Sequence, residues 1–318
     1  MAHSLPATPL SLRRRLELLI GRLIMAVFAL IDRLRPLPPP PSEVSLHRYG
    51  TDPAETLQYI ARRPGAPALA PIVYMHGGGW ILGNKKLYTR ELFAFAEAGH
   101  PVFNLGYPVA PENPHPGILL SLLNALAWIR AEHPEVEEVH FMGDSAGGNL
   151  AMMLGILNAN RNLLAPLGIH THASVPIACS SVVSLYGVLD RLSWVRTGFP
   201  GAELMLECYA GKAGCEARVA PERSITPMDL DFETHPPSFL ICGSKDHLLE
   251  STRICAERLE AGPGLVETKI YDGEMHGFFN MHWRPHYVEL KDDILAFLKA
   301  HDPLDRSAVR NPSMEVSS

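Results

Sequence analysis

The sequence predicts an α/β fold: a central, mostly parallel, eight-stranded sheet flanked by helices. Three observations lead there. From residue 42 onward, short apolar runs alternate with longer stretches of helical periodicity. Most of those runs are continuously apolar, as strands buried on both faces must be. The chain also has 318 residues, 47% of them apolar and only 19% charged, enough for one large domain or two ordinary ones. The same composition excludes disorder over most of the length. With 28 Lys+Arg against 34 Asp+Glu, the net charge of −6 argues against nucleic acid as a partner, because phosphate binding needs clustered cations.

The elements follow in chain order. Arg13, Arg14 and Arg15 precede an apolar stretch, Leu16 to Ile31, that superficially matches a secretion signal. Glu17 and Arg22 interrupt it, no small-x-small cleavage site follows, and Asp32, Arg33 and Arg35 close it. It is also shorter than the ~20 residues that a membrane-spanning helix needs. Leu12, Leu16, Leu19, Ile20, Leu23, Ile24, Val27, Leu30, Ile31 and Leu34 fall at three- and four-residue steps, so the spacing predicts one amphipathic helix over 12–34. Packing of that stripe on the chain's own domain is the first expectation; a helix lying in an anionic membrane interface is the alternative. Pro36 and Pro38 to Pro41 end the helix and form a stiff connector, so residues 1–42 read as one amino-terminal unit.

Strands are expected at 45–49, 56–61, 71–75, 101–105, 139–142, 182–185, 238–242 and 268–271. Helices are expected at 85–98, 118–132, 146–160, 249–260 and 285–300. These make a body over 43–301. Residues 187–237 carry no clear strand and read as an insertion above the carboxyl edge of the sheet, where ligands bind in such folds. The polar stretch 302–318 reads as a disordered tail.

Two glycine-rich turns carry the chemistry. Gly143-Asp144-Ser145-Ala146-Gly147 fits G-x-S-x-G between an apolar strand and a helical run, the context in which a serine is held on a strained, exposed turn. Upstream, His76-Gly77-Gly78-Gly79-Trp80 follows another strand, and its bare amides can turn toward one point. The amides of Gly77 and Gly78, with that of Ala146, are the expected oxyanion hole. A serine needs a base. In the chain order nucleophile, acid, histidine, Asp246 falls just past one strand end and His276 just past the next. His276 is thus the candidate base and Asp246 its orienting acid, with Asp144 organising the nucleophile turn. His247, His282, His286, Asp272 and Glu274 are the rivals on the same loops.

The set HGGGW, GDSAGG (Gly143 to Gly148), Asp246 and His276-Gly277-Phe278 resembles the hormone-sensitive-lipase-like branch of the α/β-hydrolases. Tyr107 to Asn113 is similar to that branch's tyrosine–arginine–leucine–alanine–proline–glutamate run, with Pro108 where arginine is usual. The resemblance covers roughly 71–300. It implies an α/β-hydrolase fold with a helical cap, made of residues 12–34 and the insertion 187–237.

Residues and resemblance agree on a serine hydrolase that cleaves carboxylic esters through an acyl-enzyme and needs no metal or organic cofactor. An amidase, such as an arylformamidase, a lactonase, and a non-catalytic receptor on the same fold are the alternatives. Trp80, Trp194, Phe199, Met205 and Tyr209 are candidates for an apolar pocket or for cap core. Five cysteines, an odd number without a C-x-x-C pair, point to free thiols in a reducing compartment, the cytoplasm; membrane association through the amino-terminal helix is the alternative to packing on the body. The expected partner is a small-molecule ester.

Overall fold

The computed structural model describes residues 10–33, 37–172, 174–199 and 201–305. Its elements run α1 (Leu12–Arg33), β1 (Val44–Arg48), β2 (Thr56–Ile60), β3 (Ile72–Met75), α2 (Thr89–Ala98), β4 (Val102–Leu105), α3 (Gly117–Glu132), β5 (Glu138–Asp144) and α4 (Ala146–Ala159). They continue with β6 (Ala178–Leu185), α5 (Arg191–Arg196), α6 (Ala202–Ala210), β7 (Ser238–Gly243), α7 (Leu249–Glu260), β8 (Val266–Tyr271) and α8 (Tyr287–Ala300). The eight strands form one sheet in the order β1-β2-β4-β3-β5-β6-β7-β8. Pairing is antiparallel at β1·β2 and β2·β4 and parallel elsewhere.

Alternation along the strands splits the core in two. On β3, Val73 and Met75 join the layer of α3 and α4, while Ile72 and Tyr74 join the layer of α2 and α8. Every residue of β3, β4 and β7 is buried, which explains why they are largely apolar, with Asn104 and Ser238 as the buried polar exceptions. The expected helix at 85–98 divides into a 3-10 turn, Lys85–Tyr88, and α2, because the Asn84 side chain accepts the Lys86 N–H and tightens the entry. The insertion supplies α5 and α6. Buried Arg191 ties it together, donating to the Asp229 carboxylate (2.9 Å) and the Gly214 carbonyl (3.0 Å). Ser251 Oγ on α7 accepts the Leu189 and Asp190 N–H groups, fixing the insertion to the body.

Two expectations are corrected. Helix α1 forms and starts on a Ser11 cap, whose hydroxyl accepts the Arg14 N–H, but its apolar stripe does not pack on the domain. Leu12, Leu16, Leu19, Leu23 and Leu30 are 56–85% exposed. The opposite side faces the body: Leu18 is buried, Gly21 lies over Leu82, Arg14 meets Glu203 and Glu207, and Arg22 meets Glu112 and the Ala110 carbonyl. The arginine side thus faces carboxylates of the body, while the leucine stripe faces out. Leu34 of the expected stripe, like Pro36, lies outside the described residues.

The tail does not begin at residue 302. Asp302 is fully buried; its carboxylate accepts the Ala70 N–H (2.8 Å) and the Leu304 N–H (2.8 Å) and meets His140 Nε2 (3.4 Å). Burial pushes this carboxyl up, but the bonds from His140, Ala70 and Asp305 outweigh it and hold the group below its ordinary value. A polar stretch thus docks through one satisfied charge. Residues 306–318 lie outside the described residues.

Candidate active site

The strands that carry motifs, β3, β5, β7 and β8, run parallel with only β6 between them, so their carboxyl ends share one rim. Ser145 caps β5 and enters α4 with φ +52° and ψ −120°, a left-handed backbone that the tight turn imposes on a non-glycine residue. Glycine is required beside it: a Cβ on Gly147 would stand 2.0 Å from the Met75 carbonyl oxygen. Asp246 follows β7, and His276 follows β8.

The three side chains meet. His276 Nε2 lies 3.0 Å from Ser145 Oγ, and its Nδ1 lies 2.9 and 3.1 Å from the two carboxylate oxygens of Asp246. Asp246 is buried and also accepts the Leu248 N–H at 2.8 Å. The Tyr186 ring packs edge-on against the His276 imidazole, with centroids 4.9 Å apart. The rivals are engaged elsewhere. His286 and Arg284 bind buried Glu274, and Asp272 accepts from Ser244. His247 and His282 line the cavity.

The glycine loop departs from expectation at one residue. The Gly77 N–H points at Asp144 Oδ1 (2.7 Å), with Tyr88 Oη at 3.2 Å, so it is committed and does not offer an oxyanion donor. Tyr74 and Tyr88 hydroxyls complete the Asp144 shell at 3.0 Å each. Burial raises the Asp144 carboxyl to about 6, against the downward pull of those bonds. Gly78 sits at φ +126°, and a Cβ there would stand 2.3 Å from the Leu82 carbonyl oxygen. A Cβ on Gly79 would stand 2.2 Å from Met205 Sδ, so α6 reaches right onto the loop. Beneath it His76 is buried, stacked on Tyr107 at 4.3 Å, and pushed down by burial to about 4, hence neutral.

A cavity of about 540 Å³ opens over Ser145. Of the five expected apolar residues, Trp194, Phe199 and Met205 line it, whereas Trp80 and Tyr209 are buried and stack on each other at 4.8 Å. Leu37, Leu87 and Trp283 line it without having been singled out in sequence. Leu37 lies far ahead of the glycine loop, and although Leu87 and Trp283 follow the glycine loop and the His276 loop closely, no local pattern marks any of the three. All five cysteines are free thiols.

An acetyl esterase of Salmonella typhi is 28% identical over 229 residues, 68% of each chain. That of Salmonella dublin is 27% identical over the same share. Esterase B of Lactobacillus rhamnosis has a similar structure, with a TM-score of 0.77 at 22% identity over 95% of this chain and all of that one. A Pyrobaculum calidifontis esterase gives 0.70 at 20% identity, covering 92% of this chain and 99% of that one. At those identities the structures speak for the fold. The family described as alpha/beta hydrolase fold matches residues 72–280, from the strand before the glycine loop to just past His276. That span is well over half of the chain: it belongs to the alpha/beta hydrolase fold family, in its hormone-sensitive-lipase-like branch.

Proposed function

We propose that the protein is a serine hydrolase of carboxylic esters, with Ser145 as nucleophile, His276 as base and Asp246 as the acid that orients it. The observation that carries this is the imidazole bridging Ser145 Oγ at 3.0 Å and the Asp246 carboxylate at 2.9 Å. Asp246 accepts the Nδ1 proton and leaves the Nε2 lone pair facing the hydroxyl. Ser145 Oγ attacks the ester carbonyl carbon as its proton passes to His276. The carbonyl oxygen becomes an oxyanion, and the Ala146 and Gly78 N–H groups receive it. Gly79 takes the place expected of Gly77, whose N–H Asp144 holds. Each such donor lowers the barrier by roughly 3 kcal/mol. Collapse expels the alkoxide with the proton from His276; water, deprotonated by the same ring, then cleaves the acyl-enzyme and restores the serine.

A cavity of about 540 Å³ is far larger than an acetyl group and falls in the range of drug-sized ligands. With Trp194, Phe199, Met205 and Leu87 in its wall, it suits a bulky or apolar ester. The insertion 187–237 forms its cap through Trp194, Phe199 and Met205, with α1 outside the cavity wall. No helix among the described residues is long and apolar enough to cross a membrane.

Ser145→Ala is expected to lower hydrolysis of a short p-nitrophenyl ester at least ~10³-fold while leaving the urea midpoint unchanged. Retained turnover in that variant would reject the assignment. A panel of esters of graded acyl length, run beside matched anilides and lactones, fixes the preferred bond and chain.

A further inference from the structure

The outward stripe of α1 is an unusual surface. Leu12, Leu16, Leu19, Leu23, Val27 and Leu30 are each about half exposed or more, on one helix, turned away from the body. Solitary exposed aliphatics are common, but a contiguous row is a binding surface. The orientation is fixed from behind, because Arg14 and Arg22 hold the opposite side to Glu203, Glu207 and Glu112.

Charge identifies what covers it. Of the five arginines in residues 12–33, Arg14 and Arg22 are taken up by carboxylates of the body, while Arg13, paired with Glu17, and Arg15 stand on the outward side, in a chain whose total is −6. Arg13 and Arg15 are exposed beside the stripe. A cationic border around an aliphatic face complements an anionic lipid surface, with acyl chains inside and headgroups outside. Apolar side chains also stand exposed at the candidate active site. Leu37, just beyond the helix, is 53% exposed and lines the mouth of the cavity, as does Trp283, 60% exposed, a residue type suited to a headgroup layer.

We propose that α1 lies in the interface of an anionic lipid surface by this stripe, and that esters dissolved in the lipid enter through the mouth beside Leu37 and Trp283. The second half rests on the ester-hydrolase reading; the first does not.

The test uses the full chain with sonicated vesicles of phosphatidylcholine alone or with 30 mol% phosphatidylglycerol, read by flotation. Wild type is expected to float with the anionic vesicles and at least ~tenfold less with the neutral ones. The double variant Leu19→Gln/Leu23→Gln should lose flotation at least ~tenfold. Its turnover of a water-soluble short-chain ester should stay within about twofold, while its turnover of a long-chain ester embedded in the anionic vesicles falls at least ~tenfold. Arg13→Ala/Arg15→Ala should erase most of the preference for anionic vesicles. Wild type that stays unbound at low salt, or a double variant that floats equally well, overturns the proposal. So does a dimer seen by light scattering that the double variant dissolves, since a second copy would then cover the stripe. Should no ester be turned over by any form, the hydrolase reading fails and the flotation result still decides the lipid contact.

Discussion

A carboxylate shut away from water must find donors, and Asp144 finds three: the Gly77 N–H and the hydroxyls of Tyr74 and Tyr88. The cluster joins the turn that carries Ser145 to the loop that carries Gly78 and Gly79. Asp144→Asn puts an amide donor where an acceptor is needed and lets the loop shift. Its kcat on a short ester is expected to fall between ~10- and ~100-fold, with KM changing less, since misplacement of about 1 Å costs roughly that much. Unaltered kcat would show that the loop is held by other means. Tyr88→Phe removes one donor and should cost only a fewfold. Ser145, Asp246 and His276 were legible in the sequence because each follows a strand end in a set chain order. The role of Gly77 was not, because the group that claims its N–H lies 67 residues away and only the fold brings it near.

Among the elements, the turn between β5 and α4 tolerates least. Gly147→Ala would drive a methyl to within 2.0 Å of the Met75 carbonyl oxygen, which lies between two parallel neighbours and cannot yield. A loss of at least ~3 kcal/mol in urea unfolding is expected, or no folded product. Gly65→Ala provides the contrast. There φ is +82° with open space around, so only the backbone preference is lost, about 1 kcal/mol. Equal costs at the two sites would show that strain, not contact, sets the penalty. The strands were readable because burial on both faces writes a plain apolar run. Helix α1 was readable in its extent and not in its facing. Periodicity defines a stripe, whereas the groups that α1 meets on the body, among them Leu82, Glu112, Glu203 and Glu207, belong to other parts of the chain.

For the whole molecule, acid is the revealing perturbation. Burial lowers His76 and His100 to about 4 and His115 to about 3, from an ordinary value near 6.5. Stability from keeping them neutral is complete above pH ~6.5 and is lost as pH falls toward the folded values. Asp144, raised to about 6, works the other way and relieves a cost as it protonates. Asp302, held low, keeps its contribution until pH drops below the usual carboxylate range. Three losses outweigh one gain between pH 6.5 and 4, so the urea-unfolding free energy should decline by on the order of 2–3 kcal/mol per pH unit there. A flat or rising profile from pH 7 to 5 would contradict these burials. The docking of Asp302 was not legible, because its partners Ala70 and His140 are remote in the chain and the segment itself is merely polar.

That docking also has a practical side. Ala70 precedes β3 and His140 lies in the first half of β5, so Asp302 is moored toward the end of the sheet opposite Ser145. A bead, a biosensor chip or a fluorescent partner joined just after Asp305 therefore leaves the entrance facing outward. The same attachment made ahead of Leu10 would crowd the side on which α1 runs over Leu82.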